Sequence, residues 1–340
     1  MRGFDPKWHD VPHYIIGITK QIWEDRQVGS LREIYADGLI VRSPASVVVD
    51  NTNVIAATLA TLAEFPDRAL LGEDVIWCED PDGATATSDA FLSSHRLLCT
   101  ATHSHPGMYG APTGARLSYR ILADCAIRDG AVYDEWLVRD QAAIVLQMGF
   151  DPLDWTRDLI AREGGADDCV KPMTPATDVA GPYTRRGNDD PRGASYADTL
   201  RALMHADLDV VGRDYDRAVA LHYPRGQDGA GWAAVDQFWT GLRASFPDAT
   251  FSVDHVIGRH DPMLPPRAAV RWSLYGKHAG WGRFGRPTGA EVYIMGISHA
   301  EFGPFAGQGA WGDPTIRREY TLVDETAIWK QILLQTGAHA

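Results

Sequence analysis

Between Tyr14 and Tyr35 the apolar residues Ile15, Ile16, Ile18, Ile22, Trp23 and Leu31 recur at spacings of three and four, which predicts one or two amphipathic helices. A short strand-like run, GLIVRSP at 38–44, follows. Asp50 or Asn51 then stands where a helix cap belongs, ahead of Val54, Ile55, Leu59 and Leu62. That stripe predicts a helix over Asn53–Glu64, ended by Pro66. Beyond it the period shortens. Strand-like runs occupy 68–78, 88–103, 115–128 and 131–139, and Asp129-Gly130 between the last two is a hairpin signal. The second half repeats the order: helix 196–208, strand 216–223, helix 230–245 stopped by Pro247, then strands near 249–259, 267–278, 290–302 and 315–323. Helices followed by hairpin-connected strands predict an α+β class, with helices on one face of a strongly curved, mainly antiparallel sheet.

The two halves also match residue by residue. FPDRALLGEDVI (65–76) answers FPDATFSVDHVI (246–257) at a shift of 181. HSHPGMYGAPTG (103–114) answers HAGWGRFGRPTG (278–289) at 175, and EWLVRDQAAI (135–144) answers EYTLVDETAI (319–328) at 184. Three ordered matches with slightly drifting shifts are what a duplicated unit with loop insertions leaves behind. We therefore expect a first domain over 13–150, a linker over 151–190 and a second domain over 191–338. The linker opens with a helical stretch, Leu153–Arg162, and turns rich in Gly, Pro and charge. Trp155, Val170, Met173 and Tyr183 give it anchors on a domain surface.

Composition narrows the partners. A length of 340 residues suits two cores. A net charge of −13, with basic residues scattered, disfavours nucleic acid and anionic membrane as partners. No apolar run approaches the roughly 20 residues of a membrane span, and the N-terminal residues lack a leader-like core, so the cytoplasm is the expected compartment. Cys78, Cys99, Cys125 and Cys169 show no paired spacing, which predicts free thiols and no structural zinc. His103-Ser104-His105 lacks the companions of a metal site, and PTG lacks the glycines and lysine of a phosphate loop. No metal or cofactor is expected.

The ordered string of FPD, Asp74 and Trp77, His95-Arg96, TATH (100–103), YGAPTG (109–114), Asp129-Gly130, Glu135-Trp136 and Asp140 resembles the SnoaL-like polyketide cyclase family of the nuclear transport factor 2 superfamily. The likeness covers roughly 13–150 well and 191–338 more loosely. It implies two tandem cones, each of about three helices closing a curved sheet around a pocket for a small ligand. It also implies that the cones pair through their sheets as an intramolecular pseudo-dimer, with a homodimer as a further option. The family includes cyclases, isomerases, dehydratases and hydrolases, generally without a metal. Its assisting histidine matches His103.

Strand alternation puts His95, Leu97, Cys99, Ala101 and His103 on one face and Arg96 on the other. Arg120 and Asp124 share a face on the next strand, as either a salt bridge or an acid–base pair. The candidate catalytic groups are His103, Asp124 and His95, because imidazole and a desolvated carboxylate can exchange protons near neutrality. Arg96, Tyr119, Arg120, Trp77, Trp136 and Glu135 are candidates for contact with substrate, Arg96 or Arg120 holding a polarised oxygen. His103 recurs as His278 and Asp140 as Asp324, which favours a scaffold role for both pairs. His95, Arg120 and Asp124 occur only in the first copy, making it the expected seat of chemistry. The expected activity is cofactor-independent acid–base catalysis on an apolar, carbonyl-bearing molecule, of isomerase, cyclase, hydratase, dehydratase or hydrolase type. The alternative is a small-ligand-binding or interaction protein without turnover.

Overall fold

A computed structural model describes residues 1–306 and 314–338. Its first unit opens with α1 (Val11–Trp23), α2 (Leu31–Ile34), β1 (Ile40–Ser43), β2 (Ser46–Val49) and α3 (Asn51–Glu64). The strands β3 (Ala69–Glu79), β4 (Ala90–Thr102), β5 (Arg116–Arg128) and β6 (Ala131–Arg139) follow, then α4 (Gln141–Gln147). After α5 (Pro152–Arg162), the second unit runs α6 (Pro191–Met204), α7 (Val210–Asp214), β7 (Tyr215–Tyr223), β8 (Gln227–Ala230) and α8 (Trp232–Ser245). It closes with β9 (Thr250–Arg259), β10 (Arg267–Lys277), β11 (Glu291–Ala306), β12 (Pro314–Val323) and α9 (Glu325–Thr336).

Each unit contains one six-stranded sheet, in the orders β2-β1-β6-β5-β4-β3 and β8-β7-β12-β11-β10-β9. The pairs are antiparallel except β1 with β6 and β7 with β12, which are parallel. This is the predicted α+β architecture. The run GLIVRSP forms a small hairpin with the residues after it, since Ile40 pairs with Val49 and Ser43 with Ser46.

Local chemistry sets the boundaries. Asp10, Asp151, Asp190 and Asp324 each turn a carboxylate onto free amides at a helix start. Proline fills the first turn of α1, α5 and α6, where it loses no hydrogen bond. Asp129 and Gly130 both adopt positive φ, 54° and 71°, as the tight β5–β6 turn requires.

The sheets pack on each other through their outer faces. Leu122 and Val138 meet Met295, Ile297 and Leu322, while Ile76, Leu92 and Ala126 meet Ile257 and Ala269. The segment after α5 is tied into this seam: Met173 and Tyr183 are buried in it, and Asp178 binds Arg42. All four cysteines are free and buried. No described helix is long and apolar enough to cross a membrane.

Candidate functional site

The inner faces of the two sheets differ. In the first unit they enclose a cavity of about 500 Å³. Its floor is built from alternate residues of three strands: His95 and Leu97 on β4, Tyr119, Ile121, Ala123 and Cys125 on β5, and Glu135, Leu137 and Arg139 on β6. The walls come from α1 and α3, and from Tyr109 and Trp155. The second unit and the segment joining it contribute Asp324, Thr326, Ala327, Lys330 and Glu163. Lys330 and Glu163 form an ion pair at 2.5 Å, binding α9 to the end of α5.

Two titratable groups on this floor stand out. Glu135 is 6% exposed, one of its carboxylate oxygens has no hydrogen-bond partner, and burial raises its pKa to about 7 against a contact with the Tyr35 hydroxyl. His95 is equally buried, its Nδ1 has no partner, and burial alone lowers its pKa to about 4, so the ring is neutral at physiological pH. His95 pairs with Ala123 across β4–β5, and Ala123 pairs with Leu137 across β5–β6. Glu135 lies two residues from Leu137 on the same face and pairs with Cys125, so β5 places only the small side chains of Ala123 and Cys125 between the strand positions of the two groups.

The remaining sequence candidates lie elsewhere. His103 is fully buried and does not line the cavity. Its Nδ1 meets the Thr113 hydroxyl at 3.1 Å and its Nε2 meets Glu64 at 3.2 Å. Glu64 in turn accepts from the amides of Met108 and Tyr109, so the histidine fastens the 103–114 loop to the end of α3. His278 repeats the contact with Thr288 at the same 3.1 Å. Asp140 and Asp324 cap α4 and α9, and Asp140 also accepts from Arg225 and Gly226 of the second unit.

Asp124, Arg96, Arg120 and Trp136 project from the opposite face, into the seam between the sheets. Asp124 takes the Ser94 hydroxyl at 2.5 Å and lies 3.4 Å from Arg271 and 3.6 Å from His255. Arg120 is bound to Glu73 at 2.9 Å rather than to Asp124. Arg96 shares Glu73 and covers the Tyr320 ring at 3.5 Å. Trp136 lies between Arg42 and Arg271, and Trp77 lies under Arg259. The structure thus gathers His95, Tyr119 and Glu135 around one cavity and separates them from His103 and Asp124.

Sequence reasoning passed over Arg68, Tyr109 and Trp155 as lining residues. Arg68 had a signal: it follows the FPD corner where the second half carries Ala249. Trp155 had none, because it comes from the linker helix.

Among the described residues, bulky side chains stand at the second unit's matching inward positions. Trp272 stands at the register position of Leu97, and its indole lies where a side chain on Gly296 would be, the position of Ile121. Trp239 packs against Trp272, with ring centroids 5.8 Å apart. Glu319, in the position of Glu135, accepts hydroxyls from Tyr196, Tyr215 and Tyr223 at 2.6, 2.8 and 2.5 Å. Tyr35 keeps the place of Tyr215 at the end of the preceding helix, but Ser43 replaces Tyr223.

No curated protein matches the sequence. Among solved structures, IdmH from Streptomyces antibioticus is 22% identical, with a TM-score of 0.35, over 41% of this chain and 99% of its own. AclR from Streptomyces galilaeus is 17% identical, with a TM-score of 0.34, over 43% of this chain and 81% of its own. A SnoaL-like polyketide cyclase from Agrobacterium tumefaciens is 22% identical, with a TM-score of 0.29, over 40% of this chain and 94% of its own. The family model described as a SnoaL-like domain matches residues 196–304, placing that likeness in the second unit.

Proposed function

We propose that the chain is a tandem of SnoaL-like domains whose first cone binds a small apolar, carbonyl-bearing molecule and moves a proton on it without a cofactor. The observation that carries this reading is Glu135. A carboxylate with a free oxygen, facing an apolar cavity and titrating near 7, is matched to the task of a general base at neutral pH. Ionised, it takes a proton from carbon or water; protonated, it returns one to the developing product. His95 is neutral across the working range and acts as a hydrogen-bond partner for a polarised oxygen rather than as a cation. Ile15, Ile18, Leu97 and Ile121 supply an apolar enclosure that holds the ligand and excludes water.

The family match to 196–304 and the shared strand order support the tandem reading. The bulky inward residues described in the second unit, and the three tyrosines bound to Glu319, support assigning it to support rather than turnover. With substrate in hand, kcat/KM is expected to rise with pH through an apparent pKa near 7. Glu135→Gln is expected to cost about 10²–10⁴ in rate and abolish that limb. A variant that keeps both the rate and the profile would remove Glu135 from the mechanism.

A further inference from the structure

One side of the first cavity, where Phe65, Tyr109, Tyr119 and Trp155 pack together, is rich in donors and short of acceptors. Arg68 is 1% exposed; its Nε reaches the Cys99 sulfur at 3.3 Å, its guanidinium lies over the Trp23 ring at 4.3 Å, and its Nη1 has no partner. The Arg139 Nε, the Tyr109 hydroxyl and the Trp155 Nε1 are likewise buried without a partner. Tyr109 lies within electrostatic range of both guanidinia and stacks on Trp155 at 5.5 Å, so the four form one neighbourhood.

The carboxylates lining the cavity have other neighbours, and only Glu135 among them keeps a buried oxygen without a hydrogen-bond partner. Glu64 holds the 103–114 loop, Glu163 holds Lys330, Glu135 faces Tyr35, and Asp324 caps α9 within electrostatic range of Arg139. Among the described residues no carboxylate oxygen comes within 4.0 Å of either Arg68 or Arg139. Burying the Arg68 cation without a carboxylate partner is costly, and four donors without an acceptor compound the cost. The second unit provides an internal control. Arg68, Tyr109, Tyr119 and Arg139 are there replaced by Ala249, Phe284, Ile294 and Val323, so the fold itself does not need them.

We infer that this side of the first cavity is a receptor for a carboxylate on an apolar ligand, gripped by Arg68 and Arg139. The inference deepens the proposed function by assigning its substrate to the apolar carboxylic acids, and it rests on that reading of the cavity as a ligand site. The anion completes the hydrogen bonds the protein leaves open and cancels the buried charge. It also fixes the ligand's orientation relative to Glu135 on β6.

The test uses 2-naphthoate and its near-isostere 2-naphthamide as probes of the full chain, titrated calorimetrically at pH 8. Naphthoate is expected to bind at least about tenfold more tightly. Arg68→Met and Arg139→Met are each expected to remove most of that preference while changing amide affinity less than about threefold. Arg139 is only partly buried, so its variant reports even if Arg68→Met fails to fold. Equal affinity for the two probes, no measurable binding of either, or a preference that survives in both variants overturns the assignment. Glu135→Gln separates the two readings. If it keeps turnover while the naphthoate preference stands, the base is wrong and the receptor right; loss of turnover with no preference gives the converse.

Discussion

The two units share strand order, register and the histidine-fastened loop, yet the first encloses a cavity where the second, among the described residues, places tryptophan and tyrosine side chains. The difference lies in a handful of inward positions. Leu97 opposite Ile121 leaves a floor; Trp272 fills the space over Gly296. Glu135 keeps an unbound oxygen, whereas Glu319 is surrounded by three tyrosine hydroxyls. The same carboxylate in the same place is poised in one unit and consumed by structure in the other. What the pair teaches is that the frame is secured by caps, turns and the inter-sheet seam, so the interior can be filled or hollowed without changing the topology.

The comparison breaks most visibly if the fillings are exchanged. Trp272→Leu is expected to destabilise the protein by about 3–5 kcal/mol in urea unfolding, because Gly296 leaves a void that nothing collapses into. The reverse exchange, Leu97→Trp with Ile121→Gly, is expected to leave a folded chain by circular dichroism that no longer binds ligand by calorimetry.

A smaller effect comes from pH. Glu135 is raised from 4.5 to about 7, so its contribution to stability is complete below 4.5 and is lost as pH rises through 7. His95 is lowered from 6.5 to about 4, so its contribution is complete above 6.5 and is lost as pH falls toward 4. Glu135→Gln is therefore expected to gain about 3 kcal/mol relative to wild type between pH 4.5 and 8, measured as the difference in unfolding free energy. No such gain would mean that the cavity leaves this carboxyl at its ordinary pKa.

The smallest effect tests equivalence. His278→Gln, losing its contact with Thr288, is expected to cost about 1 kcal/mol, and His103→Gln, losing Thr113 and Glu64, about 2 kcal/mol. Turnover should stay within a few-fold of wild type in both. A collapse of activity confined to His103→Gln would return that residue to the chemistry.

Most of the element order was legible because period and punctuation agree along the chain. The helix ended by Pro66 and the hairpin at Asp129-Gly130 are local events that sequence encodes directly. The site was less legible. Alternation correctly set His95 and Arg96 on opposite faces, but it could not say which face was hollow. Asp124 looked like an acid beside Arg120, yet its partners Arg271 and His255 lie well over a hundred residues away in the other sheet. Uniqueness to the first half selected His95, which lines the cavity, together with Asp124 and Arg120, which serve the seam. Had the same contrast been drawn at Arg68 with Ala249 and at Arg139 with Val323, the donor-rich side would have emerged from sequence alone.

The wall that α9 contributes has a consequence for the timing of biosynthesis. Lys330 is made about 190 residues after β6 ends at Arg139, which at ordinary ribosomal rates is roughly ten to forty seconds. During that interval the first sheet can fold while its chamber stands open on the side where Lys330 will meet Glu163. The nascent chain is thus a vessel without its last panel, which α9 supplies only late in synthesis.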